Sequence, residues 1–173
     1  MYHGSVYSHF QQYKLSPGHS IPSFGVDLSR CRPRTDFGRG FYLTTSLEQA
    51  EKWANIKSLR SRSADQPLIL EFNIDLEVFC KLDYLWFVRA SDEFNAFVRR
   101  CRRHDTWHKV SRTDDPYDVV LGPLSKFPGH TVYDGCDQFS LHTQRAIGLM
   151  PKPMVRSVMS KSIQPVTSPA KLN

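Results

Sequence analysis

The chain has 173 residues, of which 40% are hydrophobic and 12% aromatic. That fits one ordinary globular domain with a modest core and room for a tail. Lys and Arg outnumber Asp and Glu by six, a balance that suits a polyanionic partner such as a dinucleotide, RNA or an acidic protein face, although most domains this basic bind no nucleic acid.

In chain order, "YHGS" opens the sequence at Tyr2–Ser5. Pro17, Gly18, Pro22, Gly25 and Pro33 mark residues 16–35 as a long loop. "GFYLTT" is rich in aromatic and β-favouring residues and predicts a strand. Thr45 with Glu48 has the form of a capping box that opens a helix, "LEQAEKWANI", with Leu47, Ala50, Trp53 and Ala54 along one face. In "PLILEFNID", Leu68, Leu70, Phe72 and Ile74 alternate, which predicts a half-buried strand. Phe94, Phe97, Val98 and Cys101 recur at helical spacing behind Ser91, a candidate N-cap. "YDVVLGPL" and "DQFSLHT" read as strands, and Thr143 caps a short helix after them. From residue 151 the composition turns to Pro, Ser and Lys, which predicts a flexible tail over 151–173 behind a domain spanning 1–150. Short strands mixed with two or three helices predict an α+β fold.

The four cysteines, Cys31, Cys80, Cys101 and Cys136, show no CxxC spacing and no zinc-like histidine offset, so they read as free thiols of a reducing compartment, with no metal site. No apolar run has transmembrane length and no signal-peptide pattern opens the chain. The expected location is therefore cytoplasmic, without membrane contact. Asp36-Phe37-Gly38 matches the kinase magnesium triplet. The catalytic loop, the glycine-rich phosphate loop and the strand lysine of kinases are all missing. Gly38 and Gly40 are better read as turn glycines.

Three segments taken together resemble the ADP-ribosyltransferase superfamily, in its diphtheria-toxin and poly-ADP-ribose-polymerase branch. They are "YHGS", "FGRGFYLTTSLEQAEKW" and "DQFSLHT". The aromatic Trp53 follows Tyr42 by eleven positions, as in that branch. The wording is most similar to a group of small bacterial and fungal single-domain proteins, some of them toxins or effectors. The likeness covers roughly residues 2–150 and implies a split antiparallel β-sandwich core with flanking helices.

What the resemblance implies is a mono-ADP-ribosyltransferase. It would cleave the nicotinamide–ribose bond of NAD, its substrate, and pass ADP-ribose to an acceptor through an oxocarbenium-like transition state. His3, Tyr42 and Gln138 would be the catalytic trio. His3 would meet ribose hydroxyls, and Tyr42 with Trp53 would sandwich the pyridinium ring. Gly4 would offer its backbone to the carboxamide, with Ser5 helping. Gly40 and Phe41 belong to the same NAD-binding segment. Arg34, with Arg30 and Arg32, would meet the pyrophosphate.

Two residues depart from that pattern. Ala50 replaces a serine that often bonds the amide, and Gln138 replaces the charged glutamate. Glutamine keeps the hydrogen bond and loses the charge, so polymer elongation is not expected, and a catalytically inactive NAD or ADP-ribose binding module is an alternative. Strand alternation puts Gln138, Ser140 and His142 on one face. Tyr133 and Asp134 lie in the segment that usually reads the acceptor in this fold. The expected acceptor is a protein, a host regulator such as ubiquitin being one guess, with RNA, DNA or water (NAD hydrolysis) as alternatives. The chain is expected to act as a monomer, in its own cytoplasm or in the cytosol of a target cell.

Overall fold

The computed structural model describes residues 1–13, 15–61, 65–104, 116–126 and 131–158. In chain order the elements are β1 (Tyr2–Val6), β2 (Phe41–Thr44), α1 (Leu47–Arg60), β3 (Pro67–Glu71), α2 (Leu76–Phe79), β4 (Tyr84–Trp86), α3 (Asp92–His104), β5 (Val119–Lys126), β6 (Thr131–Leu141), α4 (Gln144–Gly148) and β7 (Met154–Val158). The strands form one seven-stranded sheet in the order β4-β5-β6-β2-β1-β3-β7. The fold is α+β, as the mixture of short strands and helices predicts. Two features differ from the antiparallel sandwich expected. The strands form one ladder, and β4 runs parallel to β5.

The pairing is uneven across the sheet. β1 pairs with β3 over five register positions but with β2 at only one, Tyr2↔Thr44. The sheet therefore parts between β1 and β2, at its centre. Register and alternation fix the faces. Tyr42 lies opposite Ser140 and Thr44 opposite Gln138, so these four share one face. Phe41, Leu43, Phe139 and Leu141 take the other, where they join the largest core cluster with Phe24, Leu70, Phe72 and Val155.

Helices cover the Tyr42 face from both sides. α1 lays Ala50 and Ala54 against Ile69 of β3, the residue opposite Gly4. α3 packs Phe94, Phe97, Val98 and Cys101 on Phe37 and Val120, and Val120 lies opposite Ser140. Between the two helices the face carries the polar residues Thr44, Gln138 and Ser140. Burying each large apolar side chain in these clusters contributes about 1.5–3 kcal/mol.

Several local expectations change. Ser46, one residue after the expected cap, accepts the Gln49 N–H at 3.2 Å and opens α1. Thr44 Oγ1 in turn accepts the Ser46 N–H at 3.1 Å, so the strand end and the helix cap are tied together. Ser91 and Thr143 do cap their helices, accepting from Phe94 N and Ala146 N. β3 is buried on both faces rather than one, because α1 covers Ile69 while the main core takes Leu68 and Leu70. The expected tail from residue 151 is corrected by β7, which pairs antiparallel with β3 and buries Val155 completely. Arg156 fastens that strand by an ion pair to Glu71 at 2.8 Å and by lying over the Tyr2 ring. The part of the expected tail beyond Val158 lies outside the described residues. Among the described residues no helix is long and apolar enough to cross a membrane, and all four cysteines are free thiols.

Candidate functional site

The central parting brings the first catalytic candidates together. The His3 ring stacks on Phe41 at 4.5 Å between centroids, and its Nδ1 lies 2.7 Å from the carbonyl oxygen of Tyr42. A carbonyl only accepts, so Nδ1 carries the proton and Nε2 keeps its lone pair. Burial, helped by the Lys57 charge, lowers the His3 pKa to about 3. His3 is thus a neutral imidazole that offers an acceptor nitrogen. Its side chain shares the face of Phe41 rather than that of Tyr42, and the two candidates meet through backbone.

Tyr42 is partly exposed, and its hydroxyl is fully engaged. The hydroxyl accepts from Thr35 Oγ1 at 2.6 Å and from Phe37 N at 2.8 Å, and donates to Gly38 O at 2.8 Å. Burial pushes its pKa up, which excludes Tyr42 as a proton acceptor near neutrality. The hydroxyl pins the turn 35–38 beneath it. Gly38 sits in that turn at φ 81°, a conformation suited to glycine.

Gln138 is 5% exposed, and its amide orientation is determined. Nε2 lies 2.9 Å from Asp36 Oδ2 and 3.2 Å from Pro123 O. Both partners are acceptors, so both amide protons are used and Oε1 is left as the accepting atom. Asp36 also accepts from Arg102 Nη2 at 2.6 Å and Nε at 3.1 Å. A chain from Arg102 on α3 through Asp36 to Gln138 on β6 therefore holds the amide rigidly and sets a carboxylate next to it. The sequence reading set Asp36 aside as part of a decoy triplet. It belongs to the site, and its place immediately before the turn that holds Tyr42 was the available signal.

The glycine and serine candidates divide in their roles. A Cβ on Gly4 would come 2.0 Å from Ala50 O, so the glycine is required for α1 to lie on β1. Its carbonyl accepts from Lys57 Nζ at 2.7 Å, a lysine the sequence reading did not single out. Ser5 is buried and bonds His9 Nδ1 at 3.2 Å. A Cβ on Gly40 would come 2.6 Å from Ser140 Oγ and 2.7 Å from His142 Nδ1, so Gly40 lets β2 and the end of β6 close together. His142 lies on the Tyr42 face as expected, edge-on to that ring at 6.4 Å, and its Nδ1 donates to Arg39 O at 2.8 Å.

Phe41 is a core residue, 5% exposed. It stacks under His3. Trp53 is 40% exposed at the rim of α1. Arg34 is exposed and is the one non-glycine among the described residues with a left-handed φ, 56°. That conformation costs about 1–2 kcal/mol. Arg39 binds the loop before it through Ser29 O and Cys31 O at 2.6 and 3.0 Å. Tyr133 and Asp134 lie on the first half of β6, and the acceptor role expected of them falls on side chains outside the described residues. Among the described residues no group of three or more His, Cys, Asp or Glu could hold a metal.

The chain belongs to the family described as "Protein of unknown function (DUF3990)", whose model matches residues 1–131. The match takes in His3, Tyr42, Trp53 and Asp36 and stops short of Gln138. No curated protein and no solved structure matches the chain.

Proposed function

We propose that this DUF3990 chain is an NAD-dependent mono-ADP-ribosyltransferase of the ADP-ribosyltransferase fold, acting on a protein acceptor as a toxin or effector. The observation that carries the reading is the face of the sheet that Tyr42 and Gln138 share on adjoining strands, with His3 bonded to the Tyr42 backbone from the other face and Trp53 exposed on α1. Tyr42 and Trp53 offer aromatic surface to a flat pyridinium ring. Gln138 offers Oε1 to a ribose hydroxyl, and neutral His3, turned to the Phe41 face, holds the Tyr42 backbone in place. In the reaction the bond between ribose C1′ and the ring nitrogen breaks, and the base leaves as a neutral molecule. An acceptor oxygen or nitrogen bonds to C1′ and gives its proton to solvent. Positive charge builds on the ribose between the two events. Gln138 carries no charge to oppose it. The Asp36 carboxylate beside it does, and Arg102 offsets part of that charge.

The same geometry favours one alternative, an NAD or ADP-ribose binding module without turnover. Its support is the uncharged amide of Gln138, tied to Asp36 and Pro123. Incubation of the purified chain with labelled NAD and cell lysate separates the two. The transferase reading expects released nicotinamide and labelled protein, with both signals falling at least tenfold in Tyr42→Ala and Gln138→Ala. Label removed by nuclease rather than protease would move the acceptor to nucleic acid. Bound NAD without released nicotinamide would establish the binding module instead.

A further inference from the structure

The two edges of the sheet are finished differently. The chain itself covers the outer side of β7. Gly18 N donates to Val155 O at 2.7 Å, Val155 N donates to His19 O at 2.9 Å, and Ser20 bridges to Met154. β4 ends the sheet on the other side, and among the described residues no strand pairs with its outer edge. Its bonds to β5 show which atoms face outward. Asp83 O accepts from Val119 N at 3.2 Å, and Phe87 N donates to Leu121 O at 2.9 Å. Backbone groups alternate in direction along a strand, so the N–H and C=O of Tyr84 and Trp86 point away from β5.

The side chains alternate as well. Leu85 and Phe87 pack on the α3 cluster. Tyr84 and Trp86 take the opposite face and are 52% and 61% exposed. Val88, where the chain bends away, is exposed too. Natural edges are blunted by shortness, lysine, proline or a bulge. β4 is short, but its Tyr-Leu-Trp has no lysine and no proline, and its register with β5 is unbroken. It shows aromatic side chains, the types that interfaces favour.

We propose that β4 is a self-association edge, where a second copy of this chain adds its own β4 in antiparallel direction and joins the two sheets. The strand complements itself that way. With Leu85 opposite Leu85 on a two-fold axis, Tyr84 faces Trp86 of the second copy, and the outward N–H and C=O groups of each such pair bond one another. Both aromatic pairs lie on one face, at cross-strand contact distance. Asp83 before the strand comes diagonally beside Arg89 beyond it in the other copy, so opposite charges meet at both ends. A parallel arrangement would set Asp83 beside Asp83 and Arg89 beside Arg89. The ladder is short, so the dimer should be weak, with a dissociation constant of about 1–100 µM. The contact uses none of His3, Tyr42 and Gln138, and it replaces the monomer expected from the sequence.

Sedimentation velocity of the full chain from about 1 to 200 µM tests it. The weight-average mass should rise from one chain toward two, and hydrogen exchange at the Tyr84 and Trp86 amides should slow as concentration rises. Trp86→Pro takes away an outward N–H without touching the bonds to β5. Trp86→Lys charges the edge and keeps the test open if proline disturbs the strand. Each should weaken association at least tenfold, with thermal unfolding that stays cooperative. Arg89→Asp should weaken it several-fold, and Asp83→Arg in the same chain should recover it. A wild type that stays monomeric across the range would overturn the proposal. So would a dimer that both Trp86 variants leave unchanged, because its interface would lie elsewhere. A monomer whose Trp86→Lys variant still releases nicotinamide but no longer labels protein would overturn it too, and would make the edge a dock for the acceptor.

Discussion

At residue 138 the chemistry turns on whom the side chain touches. For the proposed transferase, a charge restored by Gln138→Glu suggests itself as a gain, and the geometry argues against it. Asp36 Oδ2 lies 2.9 Å from the amide nitrogen, and Pro123 O lies 3.2 Å away. A glutamate there would face an ionised carboxylate and a carbonyl with nothing to donate. Two carboxylates at that separation cannot both ionise freely, so one retains its proton to a higher pH. The folded pKa is then raised above the unfolded one, and the native state binds more protons than the unfolded state as pH rises above about 4, the ordinary glutamate range. Stability therefore falls with rising pH. Gln138→Glu should cost about 1–3 kcal/mol at neutral pH, with a smaller loss at pH 5, and Asp36→Asn in the same chain should recover part of it. Denaturant midpoints at the two pH values measure this. A variant as stable as wild type at both would mean that Asp36 does not face position 138. The expectation of a trio could be formed from the sequence because His3, Tyr42 and Gln138 stand in segments whose wording and spacing resemble a known pattern. Asp36, Lys57 and Arg102 could not, because each works through a contact between residues far apart in the chain, and no local pattern encodes the partner.

At the scale of elements, close approach decides the parting. α1 can lie on β1 only because Gly4 has no Cβ, and an alanine there would put that atom 2.0 Å from the backbone oxygen of Ala50. The obstacle is backbone in the middle of a helix, so no side chain can swing away. Gly4→Ala should cost about 3 kcal/mol or more, at the upper end for overpacking. It should also displace α1, carrying Trp53 and Lys57 with it, so ligand binding should fail even where the fold persists. Chemical unfolding together with calorimetric titration of NAD would show it. A fully stable Gly4→Ala chain would refute this account of the packing. Helical spacing was legible at this scale in α3, whose Phe94, Phe97, Val98 and Cys101 are all buried. The errors lie where neighbours decide. The cap moved from Thr45 to Ser46, since the Thr44 hydroxyl binds the Ser46 N–H and fixes where the helix begins. β3 became fully buried because α1 covers its second face. Five residues that read as tail became β7, because β3 had an edge left to pair and Val155 a core to enter.

At the scale of the molecule, two buried bases make stability depend on pH in a defined sense. His3 has its pKa lowered to about 3 and Lys57 to about 8, against ordinary values near 6.5 and 10.4. In each case the unfolded chain binds the proton at a pH where the folded chain does not, so stability rises with pH across the gap. His3 supplies one rise, between about pH 3 and 6.5, and the stability it contributes above that window is lost as pH falls through it. Lys57 supplies a second, between about pH 8 and 10. Below pH 8 its ammonium is charged in both states, and the folded chain bears the full cost of desolvating it. Tyr42 acts in the opposite sense, because its raised pKa costs stability once the unfolded phenol ionises above about pH 10. The upper rise should therefore end there. Lys57→Met removes the buried charge and should be the more stable chain at pH 7, by up to about 3 kcal/mol for a shift of this size. The advantage should shrink steadily from pH 8 to pH 10, as the wild type sheds its proton and catches up. Unfolding midpoints of the two chains over that range read this directly, and an advantage that stays constant would mean that Lys57 keeps its proton in the folded state.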